Sequence, residues 1–407
     1  MVNNRIACGP VSLNDRSLAP DLARGFMLLL IVLAHAPIFL FGTEHLVMNR
    51  PVGVSVLDRM IDFMGYLLID NRARCMFAAL FGYGLAMVID NQLTKGTSKQ
   101  DARRLLRRRA FLLMLFGFVL SVFIGGQDIL STYGIYVLLV GWLLFRPERV
   151  LVRTLIFVGM LFLILMPFLW IGLANGLGHL GFPGMSATDT YASIMLNRLT
   201  SYPFFPISHI TTPTLLPILV GMWAAHKRLL IEPYRHRQQL FRISIIGVSI
   251  SVLGALPLAL IGVQLWNPAP TAAGLIFALH LMTGVAGGLG YAAIFGLIGS
   301  VKNVEGRVIR SLAALGKRSL TFFVFNEAML VLILSPAAFG LGGSLNSTGA
   351  AIVAVLIWLT SLGLATILEN LNKRGPLDAL FRQLVYKQNR RVITEPLNLT
   401  LDERKDS

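Results

Sequence analysis

The chain has 407 residues, of which 55% are hydrophobic and only 14% charged, whereas a water-soluble domain carries charge on about a quarter of its residues. That balance excludes a soluble globular enzyme and indicates a chain that crosses a bilayer repeatedly. The formal charge of +16 does not imply a nucleic-acid partner, because the bases fall in short clusters between apolar runs, as they do in cytosolic loops.

Apolar runs of bilayer-crossing length, about 20 residues, are read at 22–42, 73–90, 110–126, 129–145, 152–175, 209–226, 243–264, 271–299, 319–338 and 348–369. They predict an all-α polytopic bundle of about ten spans, with a single transmembrane domain over 1–388 and a polar cytoplasmic tail over 389–407. The N-terminus has no short apolar leader ending in a small-residue cleavage site, so the first span is expected to be retained. Cys8 and Cys75 fall on opposite sides in this topology and are not expected to pair.

Alternate loops are basic: Lys95 to Arg109 after the second span, Arg146 to Arg153 after the fourth, Lys227 to Arg242 after the sixth, Lys302 to Arg318 after the eighth, and Lys373 to Arg382 after the tenth. Of the intervening loops, 264–270 and 336–349 carry no charge and the long segment 175–208 holds only Arg198 and Asp189, whereas 44–72 is a long outer segment rich in Asp and Arg. Basic loops face the cytosol, which places both termini there and locates the protein in the cytoplasmic (inner) membrane.

The first span begins in LAPDLARGF. Asp21 and Arg24, three residues apart, share a helical face. They read as an ion pair orienting the helix, with Asp21 at the favourable end of the dipole, or as a place where Arg24 binds the phosphate or carboxylate of a cytosolic donor. His35 lies 11 residues beyond Arg24, about 16 Å along a helix rising about 1.5 Å per residue, so it falls in the outer half of the bilayer. It reads as a structural histidine at a helix contact or as a general base.

The company expected for His35 is Asn71 and Arg72 at the outer end of the second span, and Asp128 and Tyr133 at that of the fourth. Together they can supply an orienting carboxylate and donors for an oxyanion. Asp128, in GGQDILSTYGIY, is equally explained as a cap for the first turn of its helix. Further along, Tyr191 to Leu199 reads as a short interfacial helix, with Tyr202, Phe204 and Phe205 near the headgroups.

The run Thr271 to Gly299 contains Gly284 and Gly288 at small-residue spacing, which suits close helix packing or a broken, substrate-lining helix. Asn326 and Glu327 fall midway along the ninth span, as members of a polar pathway or as a neutral acid bonded to a neighbouring helix. Glu369 is expected to meet Lys373 one turn on. His45, His179, His209, His226, His236 and His280 are dispersed, and HExxH, CxxC and GxxxxGK[ST] motifs are missing from the sequence. Neither a metal nor a nucleotide cofactor is therefore expected.

PDLARGF at Asp21, Arg24 and Gly25, FAALFGYGLAM around Phe77, Phe81 and Gly82, the following arginine cluster, GGQDILSTYGIY, GKRSLTFFVFN ending at Asn326, and GPLDALFRQLVY at Gly375 to Tyr386 stand in an order that resembles the YeiB-like family of bacterial multipass membrane proteins with a C-terminal domain of unknown function. The resemblance runs from about residue 15 to 388 and implies an inner-membrane protein with about this many spans. That family is distantly similar to the membrane acyltransferase superfamily, whose outline Arg24, Gly25 and His35 match. YeiB-like members commonly carry asparagine at the place of His35.

Two functions follow as expectations. One is an acyltransferase that moves an acyl group from a cytosolic donor to a lipid-linked or envelope glycan acceptor, with His35 as base, Asp128 as its orienter, and Arg24 or Arg72 as an anion contact. The other is a transporter or exporter of a small amphipathic or anionic compound, with Asn326, Glu327 and His35 along its pathway. In either case membrane lipids are partners and nucleic acid is not.

Overall fold

The computed structural model describes residues 18–178, 184–204, 212–301 and 306–391, together with 180 and 209. Cys8, His179, Phe205, Lys302 and residues 392–407 of the tail lie outside the described residues. The described chain is helical: α1 (Leu18–His35), α2 (Val56–Met64), α3 (Arg72–Thr94), α4 (Lys99–Phe118), α5 (Leu130–Val140), α6 (Glu148–Leu177), α7 (Tyr191–Ser201), α8 (Leu215–His226), α9 (Arg237–Gly262), α10 (Pro270–Gly299), α11 (Arg307–Lys317), α12 (Ser319–Leu334), α13 (Ser347–Asn370) and α14 (Pro376–Arg391). Among the described residues, six helical stretches are long and apolar enough to cross a bilayer: Leu18–Phe39, Val56–Thr94, Glu148–Leu177, Pro233–Gly262, Pro270–Gly299 and Ser347–Asn370. Leu130–Phe145, Leu215–His226 and Ser319–Leu334 are apolar but shorter. The protein is thus an all-α, multi-span membrane protein.

Local chemistry sets the helix ends. Ser55 accepts from the Asp58 amide while Asp58 answers the Ser55 amide, a reciprocal cap for α2; Ser98 caps α4 and Asn346 caps α13 in the simpler one-sided way. The α-helical part of α1 stops at His35, where Pro37 enters a 3-10 turn, Ala36–Phe39, because proline has no N–H to continue the ladder. Both α6 and α13 lie at the periphery, with only 22% of their apolar windows buried, and bare side chains such as Phe157, Phe168 and Ile352 face outward from them. That surface suits lipid and not water.

The interior is held by close helix crossings. A Cβ on Gly82 would strike the Ile218 carbonyl, and one on Gly221 the Ala79 carbonyl, so α3 and α8 approach at backbone distance. The glycine-rich α10 runs unbroken for 30 residues. Gly284 accommodates the Asn71 side chain and Gly288 the α3 backbone near Met76, so these glycines serve close packing here. Gly25, from the first-span motif, lies against the Leu312 carbonyl, and Gly316 against that of Asp21. Within this framework α1 is central, touching α3, α10, α11, α12 and α13.

Polar contacts gather at two opposite ends of α1. At the Leu18 end, Lys317 and Arg318 bind Glu369 at 2.6 and 2.7 Å, Lys227 binds Glu148 at 2.7 Å, and the Tyr83 hydroxyl accepts from the amides of Leu230 and Ile231. Arg318, and not Glu369, is the group that reaches Lys373, donating to its carbonyl at 3.0 Å; the expected Glu369–Lys373 pair is replaced because the α11–α12 break brings two closer bases. At the His35 end, Arg50 donates to Asp70 at 2.7 Å and to Asp62 at 3.0 Å, and Asp62 accepts from Ser347 at 2.9 Å. Asp58 accepts from the Thr348 amide at 3.0 Å. This buried cluster ties the 44–72 segment to the start of α13.

Candidate functional site

His35, the last residue of α1, places Nδ1 2.6 Å from Oε1 of Glu327 in the middle of α12. Glu327 is fully buried, whereas the His35 side chain remains 24% exposed, so the pair has one enclosed member and one accessible member. The other carboxylate oxygen, Oε2, accepts from the Gln127 amide at 2.8 Å. A carboxylate that carries its charge only accepts, and beside one, Nδ1 is the protonated nitrogen and the Nε2 lone pair is left for another partner. Apolar packing fixes the helices around the contact: Val32 of α1 and Ala36 of the 3-10 turn after it share a compact cluster with Leu330 and Leu334 from α12 and with Ala350 and Ala354 from α13.

The Gln127 amide is available because the chain leaves helix just before it. A π-helical turn, Val119–Ile124, ends at Gly125, whose φ of +84° lies in the left-handed region that favours glycine. Gly126 then packs against the Cβ of Glu327, where a side chain would clash. Arg198 on α7 secures this loop, donating to the Gly126 carbonyl at 2.6 Å and lying 3.4 Å from that of Ser121. Burial pushes the Arg198 guanidinium below its usual value, and the charges of Glu327 and Asp128 act in the opposite sense. The expected Tyr191 helix is α7, anchored also by the Tyr191 hydroxyl on the Phe123 carbonyl at 2.8 Å.

The pairing of His35 with Asp128 is not the one present. Asp128 turns Oδ1 to the amides of Leu130 and Ser131 at 2.7 and 3.2 Å, capping α5, while among the described residues its buried Oδ2 has no hydrogen-bond partner. Glu327 has taken the orienting position because α12 passes directly beside the end of α1. Arg72 is fully buried and donates to the carbonyls of Tyr66, Asp70 and Ser251 at 2.9, 2.8 and 2.7 Å. Asn71 donates to the carbonyls of His280 and Leu281. Both therefore brace α3 against α9 and α10 and make no contact with His35.

Tyr133 stacks on Phe81 with ring centroids 4.5 Å apart and meets Phe77 edge-on at 5.1 Å. Asn326 accepts from Ser361 at 2.6 Å, facing α13. Asp21 and Arg24 form their expected ion pair at 3.2 Å, near the opposite end of α1 from His35. Among the described residues no three His, Cys, Asp or Glu side chains gather in a metal-binding arrangement. Sequence reasoning missed Arg198 and the Gln127 amide. Arg198 had one signal, as the single cation of the segment 175–208, whereas a backbone amide has none.

Comparison with known proteins assigns no activity. Residues 224–388 match a family described as "Protein of unknown function (DUF418)". The chain is 22% identical to the "Uncharacterized protein YxaH" of Bacillus subtilis (strain 168), over 93% of this chain and 96% of that protein. No solved structure matches the chain.

Proposed function

We propose that the protein is an acyltransferase of the cytoplasmic membrane, with His35 as general base and Glu327 as the carboxylate that orients it. One observation carries this reading: a buried carboxylate holds Nδ1 of a partly exposed histidine at 2.6 Å. Such a pair fixes the tautomer and stabilises the imidazolium formed when Nε2 takes a proton. In the step proposed, Nε2 removes the proton of an acceptor hydroxyl as its oxygen attacks the acyl carbonyl of a thioester donor. The C–O bond forms, the C–S bond breaks, and the carrier thiol leaves with the proton from Nε2. The acceptor is a lipid-linked or envelope glycan hydroxyl.

Topology supports this placement. The basic segments 95–109, 227–242 and 307–318 meet the Leu18 end of α1 or its neighbours, whereas the uncharged loop 336–349 packs beside Phe39 at the His35 end. A ten-span course with both termini cytosolic places His35 toward the outer leaflet. The donor must then deliver its acyl group about 16 Å beyond Arg24 along α1, at about 1.5 Å per residue over the 11 residues between Arg24 and His35.

The test replaces His35 by alanine and compares envelope acyl groups by mass spectrometry at matched protein abundance in the membrane. Loss of one acylated species is the expected result. Unchanged acylation together with loss of export of an amphipathic compound would replace this reading with transport along His35 and Glu327.

A further inference from the structure

Arg74 lies half a turn inside α3 and is partly exposed, as are Phe77 and Phe81 at the following positions of the same helical face, while the intervening Cys75, Met76, Ala78, Ala79 and Leu80 are buried. An opening therefore follows this one face of the first half of α3, residues 72–83, which is otherwise enclosed. The Arg74 guanidinium bonds to Asn71 Oδ1, and among the described residues its buried Nε has no hydrogen-bond partner and no carboxylate forms an ion pair with it. A cation within a membrane bundle without a counter-charge is costly, so its retention needs a reason.

Tyr133 supplies a second, independent observation. Its ring is fully buried against Phe77 and Phe81, and among the described residues its hydroxyl has no hydrogen-bond partner. Phe77, three residues after Arg74 on the same face of α3, meets the Tyr133 ring at 5.1 Å, so both side chains address one locality. Both unsatisfied atoms can donate, Nε–H only and O–H readily. Two buried donors beside an uncompensated cation, at the positive end of a helix, call for an anion and disfavour a metal or a neutral sugar.

We infer that Arg74 and Tyr133 form a binding site for a phosphate group, with Phe77 and Phe81 as its apolar wall. The site lies close to the base pair. Phe77 also contacts Phe323, with ring centroids 5.8 Å apart, and Phe323 sits four residues before Glu327 on the same face of α12. Resting on the acyl-transfer reading, this assigns the acceptor a class: a phosphate-bearing amphiphile whose phosphate is held at Arg74 while its hydroxyl reaches His35.

The binding test does not depend on turnover. Purified full-length protein in phosphatidylcholine nanodiscs is titrated with inorganic phosphate, dihexanoyl phosphatidic acid or dihexanoyl phosphatidylcholine, and the rise in melting temperature yields Kd. Stabilisation by phosphatidic acid alone identifies a lipid headgroup, and stabilisation by inorganic phosphate as well identifies a soluble phosphate. Arg74→Gln is expected to weaken binding at least about tenfold and Tyr133→Phe by roughly threefold or more, as charged and neutral hydrogen bonds are lost. Arg104→Gln on the exposed face of α4 serves as control and is expected to bind as wild type. Binding of no phosphate probe, or wild-type affinity in both variants, overturns the site. Should Arg74→Gln fail to accumulate, Tyr133→Phe decides. Arg74-dependent binding with unchanged acylation in His35→Ala would refute the acyltransferase reading and leave the phosphate site standing.

Discussion

Replacing Glu327 by glutamine changes one oxygen into an amide nitrogen, and the consequence can be worked from its two contacts. The Gln127 amide approaches Oε2 at 2.8 Å and is a donor, so the side-chain oxygen of the new residue must remain there. Its NH2 group then faces Nδ1 of His35, which has to become an acceptor. The imidazole proton moves to Nε2, and the atom proposed as base loses its free lone pair. The reverse amide orientation sets NH2 against the Gln127 N–H and leaves that buried donor unpaired, a cost of about 1–3 kcal/mol. Glu327→Gln is therefore expected to fold like wild type, with acyl transfer lowered by about 10²–10⁴, the usual share of a general base. Glu327→Ala abandons both contacts and should also lose about 2–6 kcal/mol of stability, at about 1–3 kcal/mol per unpaired group. Thermal melting in detergent and mass spectrometry of acylated products separate the two effects. Wild-type acylation by Glu327→Gln at equal abundance would refute the tautomer argument.

Other outcomes follow from the packing and the loops. Arg50→Ala strands Asp62 and Asp70 in a buried site and should cost about 3–5 kcal/mol, with partial recovery in a variant that also carries Asp62→Asn and Asp70→Asn; urea or thermal unfolding reads both. Gly221→Ala, pressed on the Ala79 carbonyl, should cost about 1–3 kcal/mol, whereas Gly363→Ala in α13, which meets no atom within 4 Å, should gain up to about 1 kcal/mol. Equal melting temperatures for these two variants would contradict the backbone-distance crossing. Burial holds the His45 imidazole below its usual 6.5, partly countered by hydrogen bonds to backbone. The unfolded loop thus takes up its proton first, and stability present above pH 6.5 is lost as pH falls below it. The melting temperature should fall less between pH 7 and pH 5 in His45→Asn than in wild type.

The helices were legible because apolar length and loop charge are local signals. Each of the ten runs overlaps a described helix, although only six described stretches reach spanning length and apolarity. Short pieces such as α8 and α12 draw part of their length from neighbouring turns and breaks, which hydropathy averages across. At the candidate site, His35 was recognisable as an ionisable group in an apolar run, and Glu327 as a buried acid. Their union was not, because 292 residues separate them and no local pattern encodes which helices become neighbours. Asp128 misled for a physical reason: capping and catalysis both select a carboxylate at the start of a helix, and here the carboxylate caps. Arg72 did so too, since an arginine serves buried carbonyls as readily as it serves a substrate anion. The Arg50 cluster was visible only as a charged loop, because its meaning depends on Asp62, Asp70 and Ser347 converging.

The functional reading requires His35 and Glu327 to act as one unit, and a double-mutant cycle measures that directly. Acylated product is quantified for wild type, His35→Ala, Glu327→Gln and the double variant at equal abundance in the membrane. Because the carboxylate acts only through the histidine, the double variant is expected to lose no more activity than His35→Ala alone. Losses that multiply, or near-wild-type product from His35→Ala, would contradict it.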